Sequence, residues 1–409
     1  MNPRHLLPAL LLAASCFTAL AAPDFARAGV DEAKLREIPR RMQKFVDDSV
    51  VSGAVTLVAR RGQVVGVEAL GYADLASKRP MRAEDIFWIA SMTKPITGVA
   101  VLMLQDDGKL SIEDPVEKHL PEFKGLWLVA SRTNDAATLK RPHRKITLRD
   151  LLTHTAGLNT ETPDVGRDLS LAERTLFYSQ QPLAFEPGSR WQYSNPGINA
   201  LGRIVEVVAQ KDFASFLDDR LFKPLGMKDT TFWPTESQAK RVATPYAPGD
   251  RAKQEPPLVP TDFFFLDGRP LTARWRSPKP AGGLYSTAAD VAKFYNMMLN
   301  HGSAGGRQYL KPETAKLMTT TQTGDIKTGF TEGMSWGLGF QVVKQPTGVT
   351  AMLAPGTFGH GGAYGTQSWA DPQSQMVFVL MIQRQRLANA DASDIRRTFQ
   401  EAAVAAVVK

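Results

Sequence analysis

Two β-branched, apolar runs, residues 53–59 (Gly-Ala-Val-Thr-Leu-Val-Ala) and 64–70 (Val-Val-Gly-Val-Glu-Ala-Leu), flank Arg60-Arg61-Gly62-Gln63. Runs of this kind about a glycine-containing turn predict a hairpin. Helical periodicity lies near 31–48, 92–107, 147–154, 197–210 and 212–222, opens again at Ala288–Tyr295, and recurs over 392–407. Strand patterns return at 337–343, 366–370 and 376–383. From Pro234 to Pro280 the prolines are dense and periodicity disappears, which predicts irregular chain packed over a scaffold or forming a lid. Strands at both ends with helices between them predict an α/β (α+β) fold. Its sheet is closed by the N- and C-terminal segments, and a helical lobe from the middle of the chain leaves a cleft against it.

The first residues read as an export signal, taken as 1–21. Arg4 supplies positive charge, Leu6 to Leu20 is apolar, and Ala19-Leu20-Ala21 has the small-x-small form of a cleavage site. Residues 22–34 are then a linker and 35–409 the catalytic domain. Lipid attachment at Cys16, after Leu12-Ala13-Ala14-Ser15, is the alternative, although Ala13 stands where such sites usually carry leucine. Cys16 is the single cysteine, so the mature chain has none for a disulfide, a thiol nucleophile or a thiolate metal site. No other apolar run is long enough to span a bilayer.

The composition, 43% hydrophobic and 22% charged, is that of an ordinary globular chain. The net charge of +8 is spread out, and it is densest at Lys140-Arg141-Pro142-His143-Arg144-Lys145. No aromatics interleave with that cluster, so it reads as a solvated loop rather than a nucleic-acid patch.

The chemistry centres on Ser91-Met92-Thr93-Lys94, placed between Phe87-Trp88-Ile89-Ala90 and the apolar helical run from Pro95 to Leu104. A serine in the first turn of a helix lies near unpaired N–H groups and the positive end of the dipole. Lys94 falls on the same face one turn on, and a desolvated amine there can take the serine proton. The spacing alone is cheap. Ser237-Gln238-Ala239-Lys240 repeats it in a polar, proline-flanked stretch and reads as a chance match. Two further segments supply partners. Tyr193-Ser194-Asn195 opens an apolar helical run. A phenol near cations could relay the proton of Ser91, and Asn195 could donate an amide to a substrate carbonyl or fix Lys94, but taken alone a plain helix start is the better reading. Phe358-Gly359-His360-Gly361-Gly362-Ala363 precedes the 366–370 strand pattern, where glycines would let backbone N–H groups approach a substrate. A plain glycine-rich turn is the bland alternative.

In chain order, SMTK, YSN and HGG together resemble the serine β-lactamase and penicillin-recognising superfamily, and within it the class C β-lactamase-related group with its family VIII carboxylesterases. Leu151–Leu158, Pro224-Leu225-Gly226-Met227 and Ala281–Thr287 fit the same group, and the resemblance spans about 35 to 405. It implies an antiparallel sheet of the β-lactamase/DD-peptidase kind and an acyl-enzyme on Ser91. Lys94 and Tyr193 would share the general base and acid roles, Asn195 would line the site, and the N–H groups of Ser91 and Ala363 would form an oxyanion hole. It implies a small acyl substrate, with no cofactor and no metal.

The departure is at the third motif. Relatives in this superfamily usually carry Lys-Thr-Gly there, whereas this chain has His360-Gly361-Gly362, and its literal Lys327-Thr328-Gly329 reads as a loop. Neutral histidine in place of a fixed cation predicts esters over β-lactams or D-peptides. Three other readings compete. Gly333-Met334-Ser335-Trp336-Gly337 matches the nucleophile elbow of α/β-hydrolases but lacks a strand before it and a helix after it. The six histidines show no pair at metal-ligand spacing, and His154 reads as a packed, hydrogen-bonded residue. A binding protein on a retained hydrolase scaffold would be expected to lose Ser91, Lys94 or Tyr193, and all three are present.

Overall fold

The strand patterns at the two ends of the chain meet in a single antiparallel sheet. The computed structural model describes residues 23–158, 168–266 and 268–408. The proposed export segment and Cys16 lie outside them. β1 (Gly53–Arg60) and β2 (Gln63–Asp74) form the expected hairpin, followed by the short β3 (Arg79–Pro80). The C-terminal part supplies β4 (Met334–Trp336), β5 (Gln341–Val343), β6 (Phe358–Gly361), β7 (Gln367–Asp371) and β8 (Met376–Met381). Across the sheet the order is β4-β5-β6-β7-β8-β1-β2-β3. The closure is made by β1 against β8, with Leu57 opposite Val379.

Among the helices that frame the sheet and the lobe are α1 (Glu37–Asp47), α2 (Thr93–Asp106), α3 (Leu148–Leu152), α4 (Asn195–Ala209), α5 (Ala288–Leu299) and α6 (Asp394–Ala405). The central strands are buried on both faces, which explains why they read as continuous apolar runs. Along β8, Val377, Val379 and Met381 join the core shared with α2 and α5. Met376, Phe378 and Leu380 join a second core under α1 and α6, with Ile38, Met42, Ile395 and Phe399. This is the two-residue period of a strand, with both sides covered.

α2 is buried from Thr93 to Leu104. A helix apolar on all sides has to lie inside the protein, and this one runs between the sheet and the lobe, packed on α4. Its N-terminus is thereby fixed at the seam between the two.

Some expectations are corrected and others gain detail. The 337–343 pattern contains a turn: Gly337 N–H bonds Phe340 O at 2.8 Å, and only 341–343 is strand. Leu338 and Phe340 are buried in that turn, so their hydropathy imitates a strand. The partner strand β4 holds Ser335, buried with its hydroxyl 3.1 Å from Thr323 Oγ1, in a hairpin and not on an elbow. The part of the 22–34 linker described here is folded: Phe25–Ala28 and Glu32–Leu35 are helical, and Asp31 N–H bonds Ala406 O at 2.8 Å. The helix expected over 212–222 changes hand-width, α-helical over Phe213–Leu217 and π-helical over Asp218–Phe222. Within 234–280, Tyr246–Pro248 pairs with Leu258–Pro260, and the remainder is largely irregular. Ser237 sits exposed on a single turn, Glu236–Ala239. In the basic cluster, Arg144 grips Asp150 through two bonds of 2.6 and 2.8 Å, and Lys145 pairs with Glu117.

One glycine ties the lobe to α2. A Cβ on Gly202 of α4 would lie 2.2 Å from Pro280 Cγ, a rigid ring that cannot swing aside. Pro280 in turn accepts a hydrogen bond from Thr97 Oγ1 of α2 at 2.8 Å. Gly202→Ala is expected to cost about 1–3 kcal/mol through overpacking. Denaturant unfolding checks this; an unchanged midpoint would mean the 280 segment yields freely.

Candidate active site

Ser91 lies in a 3₁₀ turn, Ala90–Met92, that runs directly into α2. The preceding Ala90 has φ of 47°, left-handed backbone that a residue with a Cβ adopts only when its surroundings hold it. Thr93 supplies part of that hold. Its hydroxyl donates to Ala90 O at 2.7 Å and accepts the N–H of Leu284 at 3.2 Å, tying the turn to the Ala281–Leu284 segment. Trp88 Nε1 donates to Gly282 O on the same segment.

Lys94 follows in the first turn of α2 and is 0% exposed. Its Nζ donates to Ala281 O at 2.6 Å, lies 3.1 Å from Ser91 Oγ, and stands 4.5 Å from the centroid of the Tyr193 ring. Burying an ammonium or amine is costly unless its hydrogen bonds are met, and a backbone carbonyl, the hydroxyl and the aromatic face meet that need here. Ala281 is one of the residues whose role in the site could not be assigned from sequence. The segment 281–287 stood out only as family-like, and a carbonyl partner leaves no side-chain signature.

Tyr193 immediately precedes Ser194, the N-cap of α4, whose side chain accepts the Gly197 N–H at 3.0 Å. The phenol ring is bordered by His154, with centroids 4.7 Å apart, and by Phe330 at 5.1 Å. Asn195 is half-buried as the first residue of α4 and is not among the residues lining the cavity in front of Ser91.

The third motif is not a plain glycine-rich turn, because His360 and Gly361 belong to strand β6. Gly362 follows, with its N–H on Thr366 O at 2.7 Å, and then Ala363. A Cβ at Gly361 would fall 1.9 Å from Asp391 Oδ1, and one at Gly362 would fall 2.7 Å from Ile89 O. Gly361 thus leaves room for the Asp391 side chain, and Gly362 lets the strand end press against the backbone at Ile89, two residues before Ser91. His360 is buried, and its Nδ1 lies 2.7 Å from Gly361 O. A carbonyl only accepts, so Nδ1 carries a proton. Burial, then the nearby charge of Lys94, lowers its pKa to about 4, with Asp391 and the Gly361 bond acting in the other direction.

Ser91, Tyr193, His360, Gly361, Gly362 and Ala363 line one cavity of about 400 Å³. Phe330 and the segment Leu387–Asp391 complete the wall. Phe330 comes from the loop after Lys327-Thr328-Gly329, so that loop reaches the site through an aromatic neighbour and not through its lysine. Asp391 is buried and accepts from Gln341 and Gln367 at 2.9 and 3.0 Å. Beyond Trp88, three consecutive aromatics of the 234–280 segment, Phe263, Phe264 and Phe265, pack on the indole and on Tyr364. Among the described residues no group of His, Cys, Asp and Glu is arranged to hold a metal, and no helix is long and apolar enough to cross a membrane.

Residues 38–403 match the family described as Beta-lactamase. Protein Rv1367c of Mycobacterium tuberculosis is 34% identical over 382 residues, covering 86% of this chain and 89% of that protein. Esterase EstB of Burkholderia gladioli is 31% identical over 358 residues, 81% of this chain and 85% of the esterase. Among solved structures, EstCE1, described as a hydrolase with promiscuous acyltransferase activity, superposes with a TM-score of 0.75 at 25% identity, covering 92% of this chain and 99% of that one.

The buried histidines link stability to pH. His360 titrates near 4 in the folded protein, and His154, fully buried beside Lys94, is held well below its ordinary value of 6.5. The unfolded chain therefore binds protons that the folded chain refuses. The stability present above pH 6.5 is lost as pH falls toward 4, by about 3 kcal/mol for His360 alone. Denaturant midpoints measured across this window should fall with acid, and His360→Asn should flatten the slope. An unaltered slope in that variant would show that His360 does not resist protonation.

Proposed function

This chain belongs to the Beta-lactamase family of serine hydrolases, and from that premise we propose that it cleaves carboxylic esters through an acyl-enzyme on Ser91. Ser91 Oγ attacks the ester carbonyl while its proton passes to the Lys94–Tyr193 pair. The bond to the alcohol oxygen breaks as that pair returns the proton to the leaving group. Water then attacks the acyl carbon while passing a proton to the same pair, and the pair hands it to Ser91 Oγ as the acyl–Oγ bond breaks, freeing the acid. The N–H groups of Ser91 and Ala363 receive the oxyanion, and Asn195 with His360, Gly361 and Gly362 borders the substrate. The 3.1 Å approach of Lys94 Nζ to Ser91 Oγ supports the nucleophile and base roles.

The preference for esters rests on the charge of the cavity. Among the described residues that line it are one carboxylate, Asp391, and the neutral His360, with no lysine or arginine. A β-lactam or a D-alanyl peptide presents a carboxylate, for which this lining offers no lysine or arginine partner, and an uncharged ester needs none. The likeness to an esterase of Burkholderia gladioli favours the same reading. A β-lactamase or D-amino-acid peptidase of this fold is the competing activity, and a non-catalytic binding protein is the reading from another class.

A fluorophosphonate probe is expected to label the protein, and Ser91→Ala to abolish both labelling and turnover. Short p-nitrophenyl esters should exceed a chromogenic cephalosporin in kcat/KM by about tenfold or more. A faster cephalosporin reaction would overturn the ester preference, and failure to label would favour the binding protein. Export through residues 1–21 is also proposed, from the charge and apolar pattern of that segment. Mass spectrometry of the exported protein should find Ala22 as its first residue.

A further inference from the structure

His154 holds the chain on both sides of Tyr193. It follows α3 in Leu-Leu-Thr-His-Thr, with φ of 60°, left-handed backbone in a residue that carries a full side chain. From that position its carbonyl accepts the N–H of Gln192 at 3.0 Å. Its ring Nδ1 accepts the N–H of Ser194 at 3.1 Å. These are the residues immediately before and after Tyr193. Between the two bonds the phenol ring lies over the imidazole, planes tilted by 40° and centroids 4.7 Å apart. Trp336 meets the imidazole edge-on at 4.8 Å and closes it from another side.

The bond from Ser194 fixes the chemistry of the ring. An N–H can donate only to an unprotonated nitrogen, so Nδ1 carries no hydrogen and the neutral tautomer has its proton on Nε2. The desolvated ring and the neighbouring charge of Lys94 favour that neutral state. His154 is 1% exposed and is not among the residues lining the cavity, so it has no path to a substrate. Its effect on chemistry has to pass through what it touches: Trp191 and Trp336 are packing neighbours, whereas Tyr193 and the backbone carrying it reach Lys94.

We infer that His154 is a positioning residue for Tyr193, its carbonyl, Nδ1 and ring face together fixing where the phenol stands relative to Lys94 and Ser91. This rests on the reading of Tyr193 as part of the acid–base pair. Substitution leaves the carbonyl bond in place and removes the other two contacts. Asparagine restores an acceptor near Nδ1 and tolerates left-handed backbone, whereas alanine restores neither.

The test is a double-mutant cycle on p-nitrophenyl acetate, with rates expressed per fluorophosphonate-reactive site and thermal unfolding followed in parallel. With Tyr193 present, His154→Ala should lower kcat by about tenfold or more with little change in KM. His154→Asn should lose less than His154→Ala. In the Tyr193→Phe background, either change at 154 should lower kcat by less than about twofold, because the group being positioned is already gone. If the full loss recurs in Tyr193→Phe, or if asparagine is no better than alanine, the role assigned to His154 is wrong. Should the alanine variant not fold, the asparagine variant carries the cycle alone. Tyr193→Phe with unreduced kcat would instead overturn the role given to Tyr193 itself.

Discussion

A lysine amine kept from water is the constraint around which the site is built. Lys94 has no exposed surface, and its Nζ meets Ala281 O, Ser91 Oγ and the Tyr193 ring. Leaving such a group unpartnered would cost several kcal/mol, so each partner has to be held where it is. Much of the surrounding architecture answers that demand. Pro280 and Ala281 are pinned between α4 and α2, Thr93 fastens the serine turn to Leu284, and Tyr193 is carried at the cap of α4. Ser91, Lys94 and Tyr193 thus stand at the ends of rigid elements, and the irregular 234–280 chain contributes aromatic cover around Trp88.

The two cores divide the remaining work. The core between sheet and lobe surrounds α2 and sets the depth of Lys94, while the core under α1 and α6 seals the far face of the sheet. β6 lies in the sheet between β5 and β7 and brings His360 and the glycines to the seam. Replacing a lysine by histidine at that seam removes a charge. Burial lowers the pKa of this imidazole to about 4, so the strand end brings no cation to the cavity at neutral pH.

Much of this was legible in the sequence, because its signals were local. The β1–β2 hairpin, the apolar run of α2 and the serine at its start depend on neighbours within a few residues. Tyr193 and the glycines were visible as residue types, and their order along the chain carried the resemblance. What stayed hidden was long-range or backbone in nature. Nothing in Phe330 announces that its loop borders the site, and Ala281 takes part through a carbonyl that any residue would possess. His154 was legible as a packed histidine, but its two bonds to the chain flanking Tyr193 join segments about forty residues apart. The β4–β5 turn was missed because Leu338 and Phe340 are buried in it, so hydropathy could not separate turn from strand.

The pairing of β1 with β8 sets the order in which the protein can come into being. Leu57 waits for Val379, and until that partner has been synthesised the sheet lacks its middle. Contacts of such separation close late and leave strand edges open in the interval. The apolar faces that will enclose α2 have no finished sheet to rest on during that time. Competence to react is therefore acquired at the end of assembly: a nascent or C-terminally shortened chain carries Ser91 and Lys94 but not the enclosure that makes them a pair.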